Sequence, residues 1–114
     1  MLRMLQRGSD KMLLRENAHT VAVADLENRL REKYPGHEIW LDMEYGMDER
    51  STTGQIDLYR ISDTGRWYFY EVKTGLHEHY KQAQNQFNRF KKHFPEIPVK
   101  GVYYHPDKGV RRLK

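Results

Sequence analysis

Residues 54 to 75, GQIDLYRISDTGRWYFYEVKTG, hold two apolar runs on either side of Ser62-Asp63-Thr64-Gly65. β-branched and aromatic residues crowd both runs, and the polar four-residue connection predicts a β-hairpin. The hairpin carries charge where charge is costly away from water: Asp57 in the first run, Glu71 and Lys73 in the second. Strand side chains repeat their direction every second residue. Glu71 and Lys73 are therefore predicted to share a face with Trp67 and Phe69, and Asp57 to share one with Gln55, Tyr59 and Ile61. Pairing around the turn brings Asp57 toward Glu71, an approach that like charges resist unless a cation lies between them. Two carboxylates and a strand carbonyl such as that of Val72 suit Mg²⁺ or Mn²⁺, which prefer oxygen and keep waters.

The hairpin sits in a chain of 114 residues, enough for one domain with one modest core. Upstream, Val23, Leu26, Leu30 and Tyr34 recur at steps of three and four and predict an amphipathic helix from Asn17 to Tyr34, closed by Pro35-Gly36. Glu27 falls inside that apolar stripe, so a third acid is expected to face the body of the domain. HEIWLDMEY then reads as a strand with Ile39, Leu41, Met43 and Tyr45 on one side and Trp40 on the other, followed by the loop GMDERSTTG. Downstream, Tyr80, Ala83, Phe87, Phe90 and Phe94 form the stripe of a second helix that Pro95 ends, and PVKGVYYH reads as a last strand. The predicted order is α-β-β-β-α-β, an α+β domain of sandwich-like character over residues 17 to 105. Residues 1 to 16, with Arg3, Arg7, Lys11 and Arg15 at intervals of four, are expected to form a basic arm, either solvated or in contact with phosphate. Residues 106 to 114 are expected to form a basic tail.

Several classes of function are excluded or bounded. The chain has no cysteine, so disulfide, thiol-nucleophile and thiolate-metal chemistry are absent. No apolar run approaches the length of a membrane span, and the expected location is intracellular and cytoplasmic, with viral or phage origin left open. The net charge of +4 permits a polyanionic partner without demanding one. His77 and His79 fall short of the three protein ligands a zinc site needs.

The placement of GQID, with Asp57, ahead of EVK, with Glu71 and Lys73, together with the element order, resembles the PD-(D/E)xK or restriction-endonuclease-like nucleases. Ile56 stands where the family name has proline. The resemblance implies a central mixed sheet flanked by helices, Asp57 and Glu71 as metal ligands, and Lys73 orienting or deprotonating the attacking water. It further implies Glu27 as a helix-borne acid completing the metal shell, in part through water, and hydrolysis leaving a 5′-phosphate. Gln82 and Gln86 match positions that often contact the scissile phosphate in that family, or else face solvent. Lys81, Arg89, Lys91 and Lys92 give the same helix a basic outer face.

Within the family, small Holliday junction resolvases of the archaeal and viral type are the nearest likeness. They imply branched DNA as substrate and a homodimer, for which Trp40, Tyr103 and Tyr104 are candidate contacts. Arg50 and Ser51 loosely match the arginine and serine-glycine signature that precedes the catalytic acid in those enzymes. Small virus-type replication and repair nucleases, restriction-type nucleases, and a non-catalytic DNA-binding protein on the same fold are the alternatives.

Overall fold

The computed structural model describes residues 7–46, 54–75 and 79–114, with side chains described from residue 17 onward. Helix α1 spans Arg7–Lys33, β1 Glu38–Tyr45, β2 Gly54–Ile61, β3 Trp67–Val72, α2 Tyr80–His93, β4 Val99–His105 and β5 Gly109–Leu113. The five strands form one sheet in sequence order. All neighbours are antiparallel except β3 and β4, which run parallel and are joined through α2. A parallel pair needs a long crossover, and the aromatic stripe of α2 makes that crossover a packed helix.

Two apolar layers cover the two faces of the sheet. On one, Ala22, Val23, Leu26 and Leu30 of α1 pack on Ile39, Leu58, Tyr70, Val72 and Tyr104. On the other, Ala83, Phe87 and Phe90 of α2 pack on Tyr45, Ile56, Phe69, Tyr103 and Leu113. Close approach of α2 depends on Gly101, where a Cβ would stand 2.6 Å from the Phe87 ring. The hairpin turn forms at Ser62 to Gly65, with Gly65 N–H donating to the Ser62 carbonyl at 3.0 Å and Gly65 at φ +83°.

The elements depart from the sequence expectations at three places. Helix α1 starts ten residues before Asn17, so Arg7 lies on a helix and most of the expected arm is helical backbone; Arg3 is outside the described residues. The expected C-terminal tail instead forms β5, an edge strand paired to β4 from Gly101↔Leu113 to His105↔Gly109. Only Leu113 of this strand is buried and its middle is a pair of arginines, so no apolar alternation marks it in the sequence. Finally, β1 does not keep one apolar face. Ile39 joins the α1 layer, Tyr45 the α2 layer, and Leu41 is exposed. The switch occurs at Asp42, a non-glycine residue at φ +53° that breaks the alternation locally.

Candidate functional site

The backbone irregularity at Asp42 lies opposite Asp57. Strands β1 and β2 pair Leu41 with Leu58 and Met43 with Ile56, stepping over Asp42 and Asp57 between them. On its other side β2 pairs with β3 from Ile61↔Trp67 only as far as Leu58↔Tyr70. Beyond that point a side chain takes over the ladder: the Val72 N–H donates to Asp57 Oδ2 at 2.9 Å. Asp57 is thereby turned out of the simple alternation predicted for it. Its other oxygen, Oδ1, stands 3.3 Å from Nε2 of His19 on α1.

Glu71 occupies the next strand, paired with Tyr103 on the α2 side of the sheet and 1% exposed. Its Oε1 is buried with no hydrogen-bond partner, and Oε2 lies 3.8 Å from Lys73 Nζ. Burial, then the neighbouring Asp57 charge, push the Glu71 carboxyl up to about 8, against the pull of Lys73. The Asp57 carboxylate in turn raises the His19 imidazole above its usual range, against its own burial. Lys73 is held by its backbone, whose N–H donates to the Tyr104 carbonyl at 3.0 Å. The chain leaving it is clamped at Gly75, whose carbonyl accepts from Nε2 of buried His105 at 2.9 Å, while Nδ1 of the same ring accepts the Asp107 and Lys108 N–H groups.

Lys73 opens into a polar cleft of about 280 Å³ lined by Gln82, Asn85, Gln86 and Arg89 of α2. These positions follow a spacing of three and four, so one side of the helix faces the lysine. Oε1 of Gln86 is buried and without a hydrogen-bond partner. Asn85 shares the cleft but has no partner four residues away of the kind that marks the glutamine pair in the sequence. Lys81 is exposed, and Lys91 is tied down, donating to the Lys114 carbonyl at 2.9 Å and lying over the Phe87 ring. His79 stands at the start of α2 with its N–H directed at the Tyr103 hydroxyl, while His77, Arg50 and Ser51 lie outside the described residues.

Other expectations are redistributed. Glu27 is half-buried on α1 and accepts from Arg31 Nε at 2.9 Å, so its carboxylate is taken up one helical turn away instead of turning to Asp57. It borders, with His19 and Asp42, a cavity of about 140 Å³ between α1 and β1. The α1 group that reaches Asp57 is His19, which sequence reasoning passed over because a single histidine carries no spacing signal. Trp40 is 52% exposed, whereas Tyr103 and Tyr104 are buried in the two core layers and cannot serve as surface contacts.

A divalent cation fits this donor set on one observation above others, the buried Glu71 oxygen that no protein group satisfies. Asp57, Glu71 and the Val72 carbonyl supply hard oxygen donors suited to Mg²⁺ or Mn²⁺. Among the described residues no group of three or more His, Cys, Asp or Glu side chains that could hold a metal ion is found, so an ion here would depend on waters and backbone for its remaining positions. Among the described residues, too, no helix is long and apolar enough to cross a membrane. No protein-family model and no curated protein sequence matches the chain, and the functional reading rests on the geometry of Asp57, Glu71 and Lys73.

Proposed function

We propose that this protein is a metal-dependent endonuclease that hydrolyses phosphodiester bonds in DNA, acting as a homodimer on branched substrates of the Holliday junction type. The observation that carries the reading is Glu71: a carboxylate withdrawn from water beside Asp57, with one oxygen unsatisfied and a lysine 3.8 Å from the other. A structural ion pair would saturate such a group, because an unsatisfied buried acceptor costs about 1 to 3 kcal/mol. A cation would both satisfy Glu71 and remove its conflict with Asp57.

In this reading Asp57, Glu71 and the Val72 carbonyl hold the ion. The ion supplies an acidified water and neutralises charge growing on the phosphate. Lys73, fixed through its backbone to Tyr104, orients the attacking water and takes part in its deprotonation. Gln82, Asn85, Gln86 and Arg89 line the cleft in which the neighbouring phosphate lies. A cleft of amides and one arginine would meet the phosphate backbone, and such contacts suit recognition of a DNA structure over a base sequence.

The test is cleavage of a synthetic four-way junction with Mg²⁺ or Mn²⁺. The wild type is expected to cut it, and Glu71→Ala or Lys73→Ala to abolish cutting while junction binding persists. Cutting that survives both substitutions overturns the assignment. Equal or better cutting of flaps, single strands or plain duplex overturns the junction preference alone.

A further inference from the structure

Strand β5 adds little to the core, since Leu113 alone of its five residues is buried. An edge strand with so little apolar burial stabilises a fold weakly, yet α2 holds its backbone with three side chains. The Tyr80 hydroxyl donates to the Arg112 carbonyl at 2.7 Å, Gln84 Oε1 accepts the Lys114 N–H at 2.7 Å, and Lys91 Nζ donates to the Lys114 carbonyl at 2.9 Å. These bonds take up backbone groups that an added strand would need. What β5 presents to solvent is charge.

That charge is divided unevenly along the chain. Residues 80 to 114 hold nine lysines and arginines against only Glu96 and Asp107, whereas residues 1 to 79 hold eleven against fourteen acids. The fold lays the basic excess in one strip. On α2 the cleft residues Gln82, Asn85, Gln86 and Arg89 occupy one side of the helix, and the residues that hold β5 occupy another. At 3.6 residues per turn, exposed Lys81 and Lys92 fall between those two sides. Next to them β5 sends Arg111 to the α2 side, 4.0 Å from the Tyr80 ring centre. Arg112 goes to the opposite side, where with Lys100 and Val110 it lines a groove of about 230 Å³. Crossing a helix takes roughly 10 to 12 Å, about a third of a helical turn of DNA. A backbone that enters the cleft therefore meets the strip within a few phosphates.

The composition of the strip says what it fits. A protein interface is built around apolar or aromatic anchors, and among the described residues Val110 is the one large apolar side chain exposed here. Spaced lysines and arginines suit a regular polyanion instead.

We propose that the outer face of α2 and strand β5 form a second phosphate-binding surface, on which Lys81, Lys92, Lys100, Arg111 and Arg112 carry a duplex arm leading away from the cleft. The inference rests on the DNA-cutting reading and goes beyond it in giving the arm a path and the C-terminal strand a function.

The test is binding of the full chain to a synthetic four-way junction over a range of salt, without divalent cation so that no cutting occurs. Each phosphate contact contributes about 0.9 to the slope of log K against log salt. Arg112→Gln should lose about 1 of that slope, and Lys92→Gln, Lys100→Gln and Arg112→Gln combined should lose about 2 to 3 and bind roughly tenfold more weakly or worse at low salt. Arg29→Gln, an equal loss of charge on the exposed side of α1, should leave the slope unchanged. Lys81→Gln with Lys92→Gln, confined to α2, should lose about 2 and repeats the test if substitutions on β5 loosen the strand. Variants that keep the wild-type slope overturn the proposal, and the nuclease reading stands if they still cut the junction with Mg²⁺. The expected loss of slope in a protein that cuts no DNA supports the proposal and overturns the nuclease reading. Polyglutamate binding that the combined variant loses, with junction binding unchanged, assigns the strip to an acidic protein and overturns the proposal. Failure to bind DNA at all overturns both.

Discussion

Two ionisable side chains are buried on adjacent strands, and the protein treats them in opposite ways. Arg60 on β2 is 4% exposed, lies 3.9 Å from the ring centres of both Tyr34 and Tyr68, and donates to the Tyr70 hydroxyl and to His37 Nδ1. Glu71 on β3 is equally hidden but keeps an unpartnered oxygen and a lysine too distant to close a hydrogen bond. A cation sandwiched by aromatic faces and donating from three of its nitrogen atoms is a structural solution, stable as it stands. The carboxylate is unfinished, and unfinished buried groups are where a ligand has energy to give.

The largest effect expected from this contrast is on catalysis. Glu71→Gln should lower junction cutting by about a thousandfold or more, the scale on which removal of one essential charged group acts, while raising the thermal midpoint measured without metal. A variant that loses stability in step with activity would make Glu71 a structural residue like Arg60.

The second effect is on the pH dependence of folding. A carboxyl at about 8 in the folded protein against 4.5 for the ordinary group holds its proton more tightly when folded. Its stabilising contribution is fully present below 4.5 and is lost as pH rises through 8, on the order of 5 kcal/mol by linkage. Denaturant unfolding between pH 5 and 9 should show that slope, which Glu71→Gln should remove.

Third, Arg60→Ala should cost about 3 kcal/mol, from two lost ring contacts and the stranded Tyr70 hydroxyl, with junction cutting preserved at temperatures where the variant is folded. Loss of cutting in the folded variant would mean that the two buried charges are coupled. The smallest effect is expected at Gly101, where alanine drives a methyl group into the Phe87 ring and should cost about 2 kcal/mol of stability with a modest rise in KM, because α2 carries the cleft residues.

The same contrast explains what could be read in the chain beforehand. The hairpin, the two helices and the approach of Asp57 to Glu71 were legible because period and turn chemistry are local properties of sequence. The burial of Arg60 is not legible in the same way, since it depends on Tyr34 and His37, which arrive from the turn after α1. The contact of His19 with Asp57 is non-local in the same way, and the inward stripe position of Glu27 is legible in the sequence while its bond to Arg31 is a choice of rotamer. The switch of β1 between layers turns on the backbone of Asp42, and a positive φ at an aspartate has no reliable sequence signature. Strand β5 was hidden by its arginines, whose side chains stay exposed on either face of an edge.

The parallel pairing of β3 with β4 also has a consequence for the order in which the protein assembles. Strands β2 and β3 meet across a tight turn, so Asp57 and the Val72 N–H can find each other early, with little loop entropy lost. Trp67 reaches Val99 only after α2 has formed and returned, and the bond from Lys73 to Tyr104 belongs to that late, non-local step. The carboxylate pair is thus the work of a hairpin and the lysine cleft the work of the complete fold. On the proposed nuclease reading, a newly made chain would bring its two acids together before β4 docks, and cutting would wait for that docking.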